Sequence, residues 1–430
     1  MGLFFSHCGY GRHARQKPIT IADKSAPVQG RFFVCWEERM FNKKTLKDVN
    51  VQGKKVFVRV DFNVPIKDGK VQDDTRILAA LPTIEYLLQR NAAVILASHL
   101  GRPGGEINIE FSLKPVSERL KELIKAPVKF APDCLGEIAQ EAVKNLKQGE
   151  VLLLENTRFY SGEEKNDLEM GRELASLAEI FINDAFGTAH RAHASNVGVA
   201  EFLPAAAGLL LEKEIIYLGN AIANPERPFT AILGGAKVSG KIDVINNLIN
   251  KVDHILIGGG MANTFFAAKG LDMAESLVET EALQLALDIL EKAGDKLRLP
   301  VDFVIADDFS NEAKYKSMLV DDIPAGWRVM DLGESSLEDF SEVISTSKTI
   351  VWNGPMGVFE FGHFAKGTFE LAKMVADADA VSIIGGGDSA AAVVQAGLAE
   401  SMTHISTGGG ASLKMLEGAS LPGLDALDDK

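Results

Sequence analysis

Cysteine is scarce in this chain: only Cys8, Cys35 and Cys134 occur in 430 residues. They show neither the paired framework of a disulfide scaffold nor the spacing of a zinc site, so a reducing cytosol is the expected compartment. Positive charge is also short, with 45 Lys and Arg against 59 Asp and Glu, a net charge of −14. That balance excludes the basic surface by which proteins hold nucleic acid or anionic membranes. It leaves small anions open, because a few placed charges suffice for them. No apolar run approaches the length of a membrane span. What remains is 46% hydrophobic and 24% charged residues, the composition of a globular protein. The length exceeds one ordinary core and predicts two domains.

The first 39 residues lack a long apolar segment and any helical or strand period. "MGLFFS" fits the loose N-myristoylation pattern, and several arginines permit a transit-peptide reading, against which Asp23, Glu37 and Glu38 count. The preferred expectation is an upstream extension over 1–39, with Met40 as the functional start and organellar targeting the lesser alternative.

From Met40 onward, apolar β-rich runs alternate with amphipathic helical stretches. "KKVFVRV" (54–60), "AAVILAS" (92–98), "EVLLLEN" (150–156) and "IFIND" (180–184) each lead into a polar turn and a helical pattern. Continuous apolar strands separated by helices predict a parallel sheet covered on both faces. The second half repeats the plan with "PFTAILGG" (228–235), "HILIGGG" (254–260), "DFVIADD" (302–308), "TIVWNGP" (349–355), "AVSIIGGG" (380–387) and "THISTGGG" (403–410). Between the halves, residues 204–228 carry Pro at both ends and an apolar helical period, and read as a connecting helix. The predicted fold is α/β, with two Rossmann-like doubly wound domains over 40–203 and 229–414. Ligands of such sheets bind at the carboxyl ends of the strands.

Those ends differ between the halves. In the first they carry Asp61, Asn63, His99, Arg102, Arg158, His190, Arg191 and His193, and the nearby "DDTRI" adds Arg76. Arginine forks match phosphate and carboxylate oxygens in pairs. An acidic chain that lines one sheet edge with Arg and His is built for a small, highly charged anion. In the second half the ends are glycines, which let backbone N–H groups approach phosphates at helix N-termini.

"ILGGAKVSGKID" (232–243) lacks one residue of a phosphate-binding loop: Ile242 stands where the metal-binding Ser or Thr belongs. "GGGDSAAAVV" (385–394) offers the substitute. Asp388 reads there either as a helix N-cap or as a magnesium carboxylate bridging to phosphate, with Ser389 beside it. Lys237 and Lys241, four apart, reach toward the same phosphates.

"RVDFNVP", "DDTRI", "SHLGRP", "GTAHRAH", "GGAKVSGKI", "IVWNGPMGVFE" and "IGGGDSAA", in this order, resemble the phosphoglycerate kinase family from about Lys43 to about Gly423. The resemblance implies two domains joined by a hinge helix, with the tail 415–430 returning to the first. It implies transfer of phosphoryl between 1,3-bisphosphoglycerate and MgADP, giving 3-phosphoglycerate and MgATP. Its triose site maps onto Asp61, Phe62, Asn63, Arg76, His99, Leu100, Gly101, Arg102, Arg158 and Arg191. Its nucleotide site maps onto Lys241, Glu360 at the ribose, and Gly386, Gly387, Asp388 and Ser389 at the phosphates, with Asp388 toward Mg2+. Lys237 and Arg76 are then catalytic, serving the phosphoryl group in flight. The partners implied are small molecules only, with no nucleic acid, no membrane and a monomeric chain.

Two positions depart from the family pattern. Val329 stands where many members carry Gly near the nucleotide, which leaves the choice among ATP, GTP and others open. Asn196 also differs, away from the expected chemistry. Another ATP-dependent kinase or ligase acting on a small carboxylate shares the Gly-rich half. A decayed, non-catalytic relative does not need Lys237, Arg76 and Asp388 together.

Overall fold

A computed structural model describes residues 40–430; the proposed extension, its myristoylation and transit-peptide readings, Cys8 and Cys35 lie outside the described residues. Two six-stranded parallel sheets carry the chain. The first comprises β1 (Lys55–Arg59), β2 (Ala93–Ala97), β3 (Val128–Phe130), β4 (Val151–Leu153), β5 (Ile180–Asn183) and β6 (Ala205–Ala207), in spatial order β3-β4-β2-β1-β5-β6. Strands β2 and β5 are buried from end to end, as their mainly apolar content requires of a sheet covered on both faces. Reversal of strand order beside β1 opens the crevice at the carboxyl ends of β1, β2 and β5.

The chain continues through β7 (Phe229–Leu233), β8 (His254–Ile257) and β9 (Leu297–Arg298), then β10 (Asp302–Ala306), β11 (Tyr315–Leu319) and β12 (Arg328–Leu332), and ends in β13 (Thr349–Asn353), β14 (Val381–Gly385) and β15 (His404–Ile405). The second sheet runs β9-β8-β7-β13-β14-β15. The stretch "DFVIADD" departs from its expected place: β10 lies in a separate antiparallel sheet, β11-β10-β12. An apolar strand of five residues has the same composition in either sheet, so periodicity alone does not separate them.

The segment 204–228 is also not helical throughout. Ala205–Ala207 forms β6, paired with Phe181–Asn183, before helix α1 (Leu209–Ala223) begins. Three alanines favour helix locally, but Pro204 and Gly208 bracket them and the sheet edge supplies their hydrogen-bond partners. The carboxylate of Asp184 accepts from the N–H groups of Leu210 and Leu211 at the start of α1. Burial raises Asp184 to about 6 against the bonds it accepts.

The C-terminal residues lie along the first sheet. Asp428 N–H donates to Ala205, Lys44 N–H to Asp428, and Lys430 N–H to Asn42. No described helix is long and apolar enough to cross a membrane.

Candidate active site

At the carboxyl edge of the first sheet a cavity of about 300 Å³ is lined by Asp61, Asn63, Arg76, His99, Gly101, Arg102, Arg158, His190 and Arg191. The residues that sequence reasoning gathered from five separate segments therefore meet in one place. Asn63 holds the floor: its Oδ1 accepts from Gly101 N–H at 2.9 Å, and its carbonyl accepts from Arg76 Nη1 at 3.0 Å. Arg76 is half-exposed and pairs with Asp61 at 3.2 Å.

Arg158 points most clearly to an anionic ligand. One Nη1 bond, 2.8 Å to Gly101 O, anchors it, and Glu164 lies 3.1 Å from its Nε without hydrogen-bond alignment. Its buried Nη2 has no hydrogen-bond partner. A guanidinium N–H buried without an acceptor costs about 1–3 kcal/mol, which an incoming carboxylate or phosphate oxygen relieves. Burial, with Arg191 and Arg59 nearby, lowers Arg158 from its ordinary value, while Glu164 opposes.

Two of the expected residues turn their side chains away from the cavity. Phe62 and Leu100 are buried in the hydrophobic core behind the cavity. Their backbones are also engaged: Phe62 N–H donates to Ser98 Oγ, and Leu100 O accepts from Asn156. Their packing holds the neighbouring Asp61, Asn63 and Gly101 in position. Of the three histidines, His193 points inward, 3.7 Å from the buried Glu163. Asn196 sits under the turn that presents Arg191, donating to the carbonyls of Thr188 and Arg191, so it supports the site without entering it.

The cavity has a wall that sequence reasoning saw only as a helix start. Gly408, Gly409 and Gly410, from the second half of the chain, complete its lining. A Cβ on Gly408 would meet Gly187 Cα at 2.8 Å and the Phe186 ring at 2.7 Å; one on Gly409 would meet Gly387 N at 3.2 Å. These backbone approaches join the cationic cavity to the glycine loops of the second sheet. The buried Glu214 of α1 secures the same loop, accepting from Thr407 N–H at 2.7 Å and lying 2.7 Å from His404 Nε2.

On the nucleotide side, helix α2 (Gly387–Gln395) starts from Gly386 at φ 94°, a conformation glycine adopts without strain. Asp388 is exposed in the first turn, and no side chain caps this helix. The N-cap reading of Asp388 therefore fails. Ser389 is buried, its hydroxyl accepting from Gly354 N–H and donating to Gly385 O. It ties two loops together at the start of the helix.

Lys241 Nζ bonds Asn353 Oδ1 at the end of β13. Burial pulls Lys241 down to about 8, against Asp388 and Glu417, which favour its charge. Lys237 and Glu360 are exposed on loops of the same half.

Two large apolar side chains also stand exposed here, Leu277 and Phe309. Leu277 lies over Gly260, a Cβ there meeting its Cδ2 at 3.3 Å. Phe309 packs edgewise on Phe361, beside Glu360, with ring centroids 5.2 Å apart. Val329 N–H donates to Ser276 Oγ, next to Leu277. Neither Leu277 nor Phe309 carries a motif, and their signal is exposure, which only the fold supplies.

A cationic anion cavity joined to glycine-rich helix starts across two doubly wound sheets defines the class: a two-lobed α/β phosphotransferase. The family model for phosphoglycerate kinase matches residues 46–419. Phosphoglycerate kinase from Coxiella burnetii is 42% identical, with a TM-score of 0.82, the match covering 89% of this chain and 98% of that one. The Pyrococcus horikoshii OT3 enzyme is 37% identical, with a TM-score of 0.80 and the same coverage. The chain belongs to the phosphoglycerate kinase family. It is a phosphotransferase with a carboxyl acceptor, interconverting 1,3-bisphosphoglycerate and ADP with 3-phosphoglycerate and ATP in glycolysis.

Proposed function

We propose that the cationic cavity is the 3-phosphoglycerate half of this reaction and the glycine loops of the second sheet are the nucleotide half. Asp61, Asn63, Arg76, His99, Gly101, Arg102, Arg158 and Arg191 hold the triose. Lys241, Gly386 and Gly387 hold the nucleotide phosphates, Glu360 the ribose, and Leu277 and Phe309 give the base an apolar surface. The observation that carries this reading is the buried Arg158 guanidinium, whose Nη2 has no protein partner, in a cavity whose far wall approaches Gly387.

No cluster of three His, Cys, Asp or Glu able to hold a metal occurs among the described residues. Asp388, exposed and uncapping, suits Mg2+, which binds through one or two carboxylates plus substrate phosphates and water. Mg2+ held there supplies charge neutralisation at the phosphates. The protein's own part is positioning and positive charge, because the phosphoryl group in transfer spreads charge over three equatorial oxygens.

In the ATP-consuming direction a carboxylate oxygen of 3-phosphoglycerate bonds to the γ-phosphorus as the bond to the β-phosphate oxygen of ATP breaks. The carboxylate is already ionised at neutral pH, so no general base is required. Lys237 and Arg76 follow the charge in flight. Residues 204–228, with α1 at their centre, carry part of a hinge motion that brings the halves together and excludes water from the acyl phosphate. Scattering that shows no change in shape when both ligands bind refutes the hinge. One chain supplies both halves, consistent with a monomer, and the cysteine usage is consistent with the cytosol.

Separate equilibrium titrations test the assignment. Arg158→Ala and Arg191→Ala are expected to weaken 3-phosphoglycerate binding and leave MgADP binding intact, and Lys241→Ala to do the reverse. Crossed or absent effects overturn it.

A further inference from the structure

Behind the cationic cavity lies a fully buried polar chain with no direct access to it. Glu163, Ser195 and Arg59 are each completely buried. Ser195 Oγ donates to Glu163 Oε1 at 2.6 Å, and Ser195 N–H to Oε2 at 2.9 Å. Thr157 Oγ1 adds a third bond to Oε1 at 3.1 Å. With its proton given to Glu163, the Ser195 hydroxyl accepts from Arg59 Nε at 2.7 Å. The remaining Arg59 Nη2 lies 3.2 Å from His99 Nδ1.

A guanidinium donates and never accepts. His99 Nδ1 must therefore be the acceptor, and the ring proton of a neutral His99 must sit on Nε2. We propose that Glu163, Ser195 and Arg59 are positioning residues that present His99 to the cavity as a neutral imidazole donating through Nε2. Arg59 orients the ring, Ser195 orients Arg59, and Glu163 supplies the negative charge that keeps the buried guanidinium in place.

The surroundings agree. The groups facing His99 are Arg59, Arg158 and Arg76 on the positive side, His193, which burial lowers to about 4 and keeps neutral, and Asp61, 3.9 Å from Nδ1, on the negative. Burial and these cations hold its imidazole well below the usual histidine range. A neutral Nε2–H donates to an anionic oxygen without adding a further buried cation beside Arg158, where like charges repel.

This inference rests on reading the cavity as the 3-phosphoglycerate site, and the test separates the two. The full chain is labelled with 15N-histidine, and the His99 ring is identified by the signal lost in His99→Asn. Ring proton–nitrogen correlations are followed from about pH 8 to about pH 5.5, across the usual histidine range. The expected result is a neutral, Nε2-protonated ring throughout. An Nδ1-protonated or charged ring at neutral pH overturns the proposal on the wild-type protein alone.

Adding 3-phosphoglycerate then tests the cavity. If the ligand shifts no cavity histidine, the functional reading fails; if it shifts them while the tautomer is wrong, only this inference fails. Ser195→Ala and Glu163→Gln are expected to change the His99 ring pattern and raise KM for 3-phosphoglycerate about tenfold, the loss of one charge-assisted bond, with KM for ATP unchanged. A folded variant with unaltered His99 signals overturns the relay. If either variant fails to fold, the wild-type spectrum still decides.

Discussion

Replacing Gly408 with alanine tests whether the two halves of the site work only when pressed together. The added Cβ would sit 2.7 Å from the Phe186 ring and 2.8–2.9 Å from Gly187 Cα and N, where ordinary contact needs about 3.5–4 Å. Neither neighbour can yield easily. Phe186 is fully buried, and a Cβ on Gly187 would itself strike the Asp61 carboxylate, so that backbone is hemmed in from behind. Relief must come from separating the Gly408 loop from the Phe186–Thr188 turn. Overpacking of this kind costs about 1–3 kcal/mol, here charged against the juxtaposed state in which transfer occurs. Turnover is therefore expected to fall about 5- to 150-fold. MgADP affinity, measured by calorimetry without triose, should stay within about twofold. A coupled assay of 3-phosphoglycerate phosphorylation reads the first quantity. Wild-type turnover in a folded Gly408→Ala protein would refute the argument, since it would mean that the contact is not part of the reacting state.

Arg158→Ala removes the guanidinium whose Nη2 awaits an acceptor; losing a charge-assisted bond of about 1.5–3 kcal/mol raises KM for 3-phosphoglycerate about 10- to 150-fold in steady-state kinetics and leaves KM for ATP unchanged. Burial holds Lys241 at about 8, and phosphate needs its charged form, so MgADP affinity should weaken about tenfold per pH unit well above pH 8 and level off below it; affinity that stays flat across that range excludes Lys241 from the phosphates. Burial raises Asp331 to about 7 from an ordinary 3.8, so the folded state binds the proton more tightly than the unfolded one. Its contribution to stability is present below about pH 4 and lost as pH rises through about 7. Relative to wild type, Asp331→Asn should therefore gain stability from about pH 4 to about pH 8, by at most about 4 kcal/mol, in urea melts at several pH values.

The sequence made the cationic edge legible because parallel βα units deliver their strand ends to one side, so Arg and His placed there converge. Arg76, Arg102, Arg158 and Arg191 required no knowledge of distances. Within the motifs the direction of each side chain was not legible: those of Phe62, Leu100 and Ser389 pack or tether loops, a distinction set by which way each residue faces. The tri-alanine strand Ala205–Ala207 was hidden because its pairing partner, not its composition, decides its state. Arg59, Glu163 and Ser195 were invisible as a unit. Their separation by 104 and 32 positions carries no pattern, and only the packing of β1 against the turns after β4 and β5 brings them within bonding distance. The glycines at 408–410 were readable as a helix start, but their place as a wall of the opposite half's cavity follows from tertiary contact alone.

The most direct measurement is turnover of 3-phosphoglycerate with MgATP, coupled to NADH oxidation with the reducing enzyme in excess, for the wild type and for Lys237→Ala beside it. The account predicts substrate-dependent activity abolished by EDTA, and a Lys237→Ala protein that binds nucleotide normally while turning over far more slowly, because that contact strengthens in the transition state. Activity indifferent to EDTA, or a Lys237→Ala protein that loses affinity and turnover in equal measure, would contradict it.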